Sequence, residues 1–189
     1  MKRNIILNCA AAGALLLATA SISSAATVVD QVNDSNSFVG FNTTLNWQQE
    51  VVAGVSGILD TIELNFGIGG GSIDVFVNLG SGWQTDADDF STSVSGLSGY
   101  SSIDVSSADI SLSKGDTFII GVRNGAGGDL RGSSGDTYAP GGLFLNGSAY
   151  TDYDLNFRTT VAAVPLPAAL PLMVFGLGSI VALRRKKQA

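Results

Sequence analysis

Between residues 27 and 163, hydrophobic side chains recur with a period of two far more often than with the three-to-four spacing of a helix. Ile73, Val75, Val77 and Leu79 fall on one side of an extended segment, with Ser72, Asp74, Phe76 and Asn78 on the other. That alternation is the mark of a strand with one face on a core. The same period runs through Ile58, Ile62, Leu64 and Phe66, interrupted at Asp60, and through Tyr153, Leu155, Phe157, Thr159 and Val161. Thr117 to Val122, reading TFIIGV, is nearly unbroken apolar sequence, which predicts a central strand covered on both faces.

Turn chemistry separates these runs: Gly69-Gly70-Gly71, Gly80-Ser81-Gly82, Lys114-Gly115-Asp116, Gly125 to Gly128 and Pro140-Gly141-Gly142. Glycine reaches positive φ without steric cost, and Asp and Pro favour tight turns. With no amphipathic helix and no repeat of fixed length between the ends, the pattern predicts about eight to ten strands in an all-β fold. The expected architecture over residues 27–163 is a jelly-roll-like β-sandwich.

Both ends depart from this pattern. Lys2 and Arg3 precede an apolar stretch, Ile5 to Ala20, and then the small residues SISSAA. This is the order of a secretory signal peptide over residues 1–26, with cleavage expected after Ala25 or Ala26 and Ala18-Thr19-Ala20 as an earlier option. Cys9 lies inside the apolar stretch, with Asn8 where an acylated cysteine would want a small residue, and it reads as an ordinary signal-peptide residue. At the other end, Ala168 to Leu183 carries no charge. Sixteen helical residues at about 1.5 Å each reach about 24 Å, and the apolar residues upstream close most of the gap to a bilayer core of about 30 Å. Arg184, Arg185, Lys186 and Lys187 follow directly and predict a stop on the cytoplasmic side, with residues 27–163 across the membrane.

Val164-Pro165-Leu166-Pro167-Ala168, the apolar segment and the basic terminus together resemble the three-part sorting tail of the PEP-CTERM family, in its VPLPA variant. The resemblance covers residues 164–189. It implies an exosortase as processing enzyme in addition to signal peptidase, transient residence in the inner membrane, and delivery of the body to the cell surface or the extracellular matrix of a biofilm. Pro-Leu-Pro stands where the namesake motif has Pro-Glu-Pro. A Gram-positive sortase signal fits less well, because Leu166-Pro167-Ala168 lacks the Thr-Gly that motif needs. A plain single-pass anchor has the same hydropathy.

Charge sharpens the picture. The formal net charge is -6, but six of the ten basic residues sit at the two ends. The body holds Lys114, Arg123, Arg131 and Arg158 against all sixteen acids, a net of −12. Such a surface repels nucleic-acid phosphates and anionic membranes, so no nucleic-acid partner is expected. The sequence has no histidine, and Cys9 is its single cysteine. Disulfides, serine or cysteine triads and the usual zinc sites are therefore outside its reach.

Paired carboxylates are the remaining enzymatic route, as in a secreted glycan hydrolase, but only Glu50 and Glu63 join the fourteen aspartates and no spacing singles out a pair. A non-catalytic role is the expectation. Asp86, Asp88 and Asp89 in one loop, and Asp129, Asp136, Asp152 and Asp154 in another region, offer oxygen ligands for calcium, although DADDF lacks the Gly and distal Glu of an EF-hand. No other cofactor is expected.

Short words along the body, Ser37-Phe38-Val39-Gly40-Phe41, Lys114-Gly115-Asp116-Thr117-Phe118, Ser133-Ser134-Gly135-Asp136 and Asp154-Leu155-Asn156-Phe157-Arg158, are similar to lectin-like sandwich domains of secreted bacterial proteins. That resemblance implies a carbohydrate-binding or structural module. Trp83, Tyr138, Tyr150 and Tyr153 are the candidate exposed rings, because sugar faces pack on aromatic faces while nearby Asp and Asn accept hydroxyl hydrogens. The expected partner is an exopolysaccharide.

Overall fold

The computed structural model describes residues 26–35, 38–67 and 71–163. The segment up to Ala25 expected to be a signal peptide, the 164–168 motif, the apolar segment behind it and the basic cluster 184–187 lie outside the described residues. Among the described residues no helix is long and apolar enough to cross a membrane.

Among the described residues, fourteen strands form two antiparallel sheets. In the first, β1 (Thr27–Asn33), β14 (Phe157–Ala162), β4 (Gly57–Phe66), β10 (Asp129–Ser134) and β13 (Tyr153–Leu155) lie side by side. Three more strands join it: β2 (Val39–Asn42) beside β10, and β7 (Gly99–Asp104) and β8 (Ser111–Leu112) beside β4. The second sheet has the order β12 (Ser148–Ala149), β11 (Leu143–Leu145), β3 (Trp47–Val52), β9 (Thr117–Arg123), β5 (Ile73–Leu79) and β6 (Phe90–Val94). The chain crosses repeatedly from one sheet to the other, for example from β3 to β4 to β5. The inward faces of both sheets meet in one core that includes Val51, Leu59, Ile62, Val75, Phe118, Leu130 and Phe157. The architecture is an all-β sandwich, with more and shorter strands than the eight to ten expected.

Three local departures from the hydrophobic pattern have clear causes. In β4 the register against β14 slips, so that Val161 faces Leu59 and Thr160 faces Thr61. This bulge passes over Asp60 and turns Leu59, not Ile58, into the core. The run from Tyr153 to Val161 is split at Asn156, whose N–H donates to Arg131 O and whose carbonyl accepts from Asn65 N–H. The inward alternation continues across the break, and Leu155, Phe157, Thr159 and Val161 are all fully buried.

The third departure is on β5, where the side expected to face solvent is covered. Phe76 is 0% exposed and Asn78 3%, although Phe76 and the equally buried Ile119 of β9 lie outside the core between the sheets. The 80–89 connection folds back over this outer face. Gln48 accepts from Gln84 N–H (2.8 Å) and donates to Gln84 O (2.9 Å), imitating a strand pairing with its side chain. Glu50 accepts from Gly82 N–H, and Asp89 from Leu79 N–H. Arg123, paired with Asp88, lies 4.4 Å above the Phe76 ring. Below that ring is Gly121, where a Cβ would come 2.0 Å from Phe76 Cζ.

Candidate functional site

The segment Ala149 to Tyr153 leaves β12, the outermost strand of the second sheet, and enters β13, the last of the side-by-side strands of the first. It therefore spans both sheets along one lateral edge. Its backbone is fixed at three points: Tyr150 N–H donates to Leu143 O (2.7 Å), Tyr153 N–H closes a turn onto Tyr150 O (3.2 Å), and Gly135 N–H donates to Asp152 O (2.7 Å).

The rings on this turn are fixed as well. Trp47 opens β3 pointing inward, and its Nε1–H donates to Asn42 O at 2.9 Å. Tyr150 stands perpendicular to it with centroids 5.5 Å apart, and Tyr153 lies 5.7 Å from Tyr150 at an interplanar angle of 42°. Phe41 closes the circuit, edge-on to Trp47 at 4.8 Å and to Tyr153 at 6.1 Å. Edge-to-face packing of this kind is favourable beyond the area it buries. The result is a splayed pair of tyrosines backed by core rings. Beside them is an open depression of about 310 Å³ lined by Ala149, Tyr150, Thr151, Asp152 and Tyr153.

Of the four candidate rings, the structure brings Tyr150 and Tyr153 together. Tyr138 is not a surface ring: it is 5% exposed and packs edge-on against Phe157 at 5.1 Å. Its hydroxyl accepts from Val52 N–H (3.1 Å) and lies 3.3 Å from Val52 O. Burial raises its pKa above the ordinary tyrosine value. Trp83 is half-buried on the loop held by Gln48, which points away from its neighbour Trp47 on the strand. It therefore lies on the opposite face of the second sheet from Tyr150, near Gly147. Trp47 and Phe41, which position the ledge, escaped the sequence reading. The Tyr-x-x-Tyr spacing across a turn was the available signal.

The acidic residues have other partners. Asp88 pairs with Arg123, and Asp89 caps Leu79 N–H. Asp154, 1% exposed, accepts from Gln49 Nε2 (3.1 Å) and from the backbone N–H groups of Thr137 and Tyr138 (both 2.9 Å). Burial pushes its carboxyl above the usual range, opposed by these hydrogen bonds. Gln49 in turn accepts from Leu155 N–H at 2.8 Å, so this buried pair ties β3 of one sheet to β13 of the other. Among the described residues no three acidic side chains converge as metal ligands would. On the outer face of the first sheet, Arg158 pairs with Asp34 (2.7 Å) and Glu63 (3.5 Å) and lies 4.2 Å above the Tyr100 ring.

No family model matches the chain, and no curated protein matches it. Among solved structures, it is similar to a clostridial cysteine protease, Cwp84 after propeptide cleavage, with a TM-score of 0.50 and 13% sequence identity. The match covers 73% of this chain and 40% of that one. At this identity the likeness is one of fold, and the residues described here include neither cysteine nor histidine.

Proposed function

We propose that this protein is an exported, non-catalytic surface or matrix protein whose jelly-roll-like body associates with polysaccharide through the Tyr150–Tyr153 ledge. The observation that carries the reading is the fixed pair of tyrosines beside an open depression. A ring already held by its backbone and by neighbouring rings loses little entropy when a sugar face stacks on it. A hydrolase of the paired-carboxylate kind is disfavoured here, because Asp152 is the single acid lining the depression.

The route to the surface rests on the two ends of the sequence. Signal peptidase cuts after Ala25 or Ala26, residues 168–183 hold the tail in the inner membrane, and an exosortase cuts near Pro165 and Pro167. In sequence, both expected cuts lie beyond the strand residues Thr27 of β1 and Ala162 of β14. Replacing Pro165 and Pro167 by Ala is expected to leave uncut chain in the membrane of exosortase-bearing cells. Surface material of the unaltered protein should lack the RRKKQA end by mass spectrometry. An intact basic end on that material refutes the sorting claim, and failure of the chain to be retained on any polysaccharide refutes the binding claim.

A further inference from the structure

The charges around the ledge restrict which polysaccharide fits it. Asp152 lies on the turn between the two tyrosines and lines the depression. Its backbone carbonyl holds Gly135, which brings Asp136 to the same corner. Both side chains are exposed, and neither joins an ion pair among the described residues.

The four cations of the body lie elsewhere, and each of the three arginines has a partner there. Arg123 pairs with Asp88 on the outer face of the second sheet, and Arg158 pairs with Asp34 and Glu63 on that of the first. Arg131 lies 5.1 Å above Phe38. Lys114 sits in the turn before β9, where its backbone N–H donates to Ser56 Oγ. Among the described residues, the ledge therefore offers aromatic faces and negative charge outside any ion pair, with no positive group placed to meet a carboxylate.

We propose that the Tyr150–Tyr153 ledge selects an amine-bearing glycan, a chain containing free hexosamine, over neutral chains and against uronate chains. This rests on the polysaccharide reading above. The ring of Tyr150 takes a sugar C–H face, and the Asp152 carboxylate accepts a charge-assisted hydrogen bond from the ammonium group. A uronate in the same place brings two like charges together without a counter-ion, and specificity arises from that repulsion as much as from the new contact.

The test measures binding of the purified full chain in detergent to size-matched oligosaccharides of glucosamine, N-acetylglucosamine and galacturonate. Expected affinity falls in that order. Asp152→Asn should lower glucosamine-oligomer affinity about tenfold and bring it close to the N-acetylated chain, the scale of one hydrogen bond to a charged group. Asp109→Asn removes an equal charge from an exposed left-handed turn position away from the ledge and should leave the ranking unchanged. Tyr150→Ala should weaken both amine-bearing and acetylated chains.

If Asp152→Asn and Asp109→Asn weaken binding equally, the preference comes from overall charge and the inference is overturned. Loss of binding in Tyr150→Ala with an unchanged ranking in Asp152→Asn overturns it too, while leaving the polysaccharide reading standing. If the unaltered chain binds none of the three oligomers, the inference is overturned, and retention on any other polysaccharide leaves the polysaccharide reading standing.

Discussion

Gly121→Ala adds one methyl group to the middle of the central strand β9. Gly121 is not among the positive-φ glycines, so the backbone accepts alanine, and the loss of unfolded-state freedom by itself favours the variant by about 0.4–1 kcal/mol. The obstacle is Phe76. The new Cβ would come 2.0 Å from its Cζ and 2.4 Å from both Cε atoms, against an ordinary contact of about 3.5–4.0 Å. The ring is 0% exposed and roofed by Arg123 and the 80–89 loop, so it has no free volume to enter. Overpacking of this kind costs about 1–3 kcal/mol. Displacing the ring also loses an Arg–aromatic contact of about 0.5–1 kcal/mol. The net expectation is a loss of about 1–3 kcal/mol, or about 2–4 °C in Tm for each kcal/mol in a chain of this size.

Thermal and urea unfolding of the body measure this directly, and a double-mutant cycle isolates the cause. Phe76→Ala should cost several kcal/mol alone and much less in the Gly121→Ala background, because the clash disappears with the ring. Additive costs, or a Gly121→Ala protein as stable as the parent, refute the account of how the outer face of the second sheet is covered.

Asp154→Asn places an amide where the carboxylate accepts from Gln49 on one side and from Thr137 and Tyr138 on the other. One side then meets donor with donor, and Gln49 cannot turn over without losing Leu155 N–H. Chemical unfolding at neutral pH should show a loss of about 1–3 kcal/mol, the cost of one unmatched buried group. Burial first, and then donation of its hydroxyl to Asp34, pushes the Tyr100 pKa up to about 12. An unfolded tyrosine ionises near pH 10, so the native state keeps a proton that the unfolded state has lost. This contribution to stability therefore falls as pH rises from about 10 to 12. Tyr100→Phe should remove both that fall and a component of the phenolate absorbance titration near pH 12.

The acidic stretch that reads in sequence as a cation site is largely structural. Asp88 and Asp89 hold the 80–89 loop on β5 and β9 through one arginine and one backbone N–H. Asp74 does similar work at the far end of β5, accepting from Ser93 Oγ and Asn124 Nδ2, and these bonds hold its carboxyl below the usual range. Short carboxylates are well suited to capping the backbone donors of loops. In a chain with fourteen aspartates, most need no further explanation.

The sequence by itself determined the strand character of the body, the central place of TFIIGV and the glycine turns. Period-two alternation and turn chemistry are properties of local backbone geometry, readable within a few residues. Only the tertiary structure decided which faces are covered. Phe76 and Asn78 look solvent-facing until the loop that follows β5 folds back on them. Tyr138 and Tyr150 read alike, yet one points into the core and the other stands on the ledge. Asp154 reads as a loop acid and proves to be a buried tie to Gln49, 105 residues away along the chain. These outcomes depend on pairings between distant strands, and a one-residue bulge such as that at Asp60 shifts which side chains reach the core.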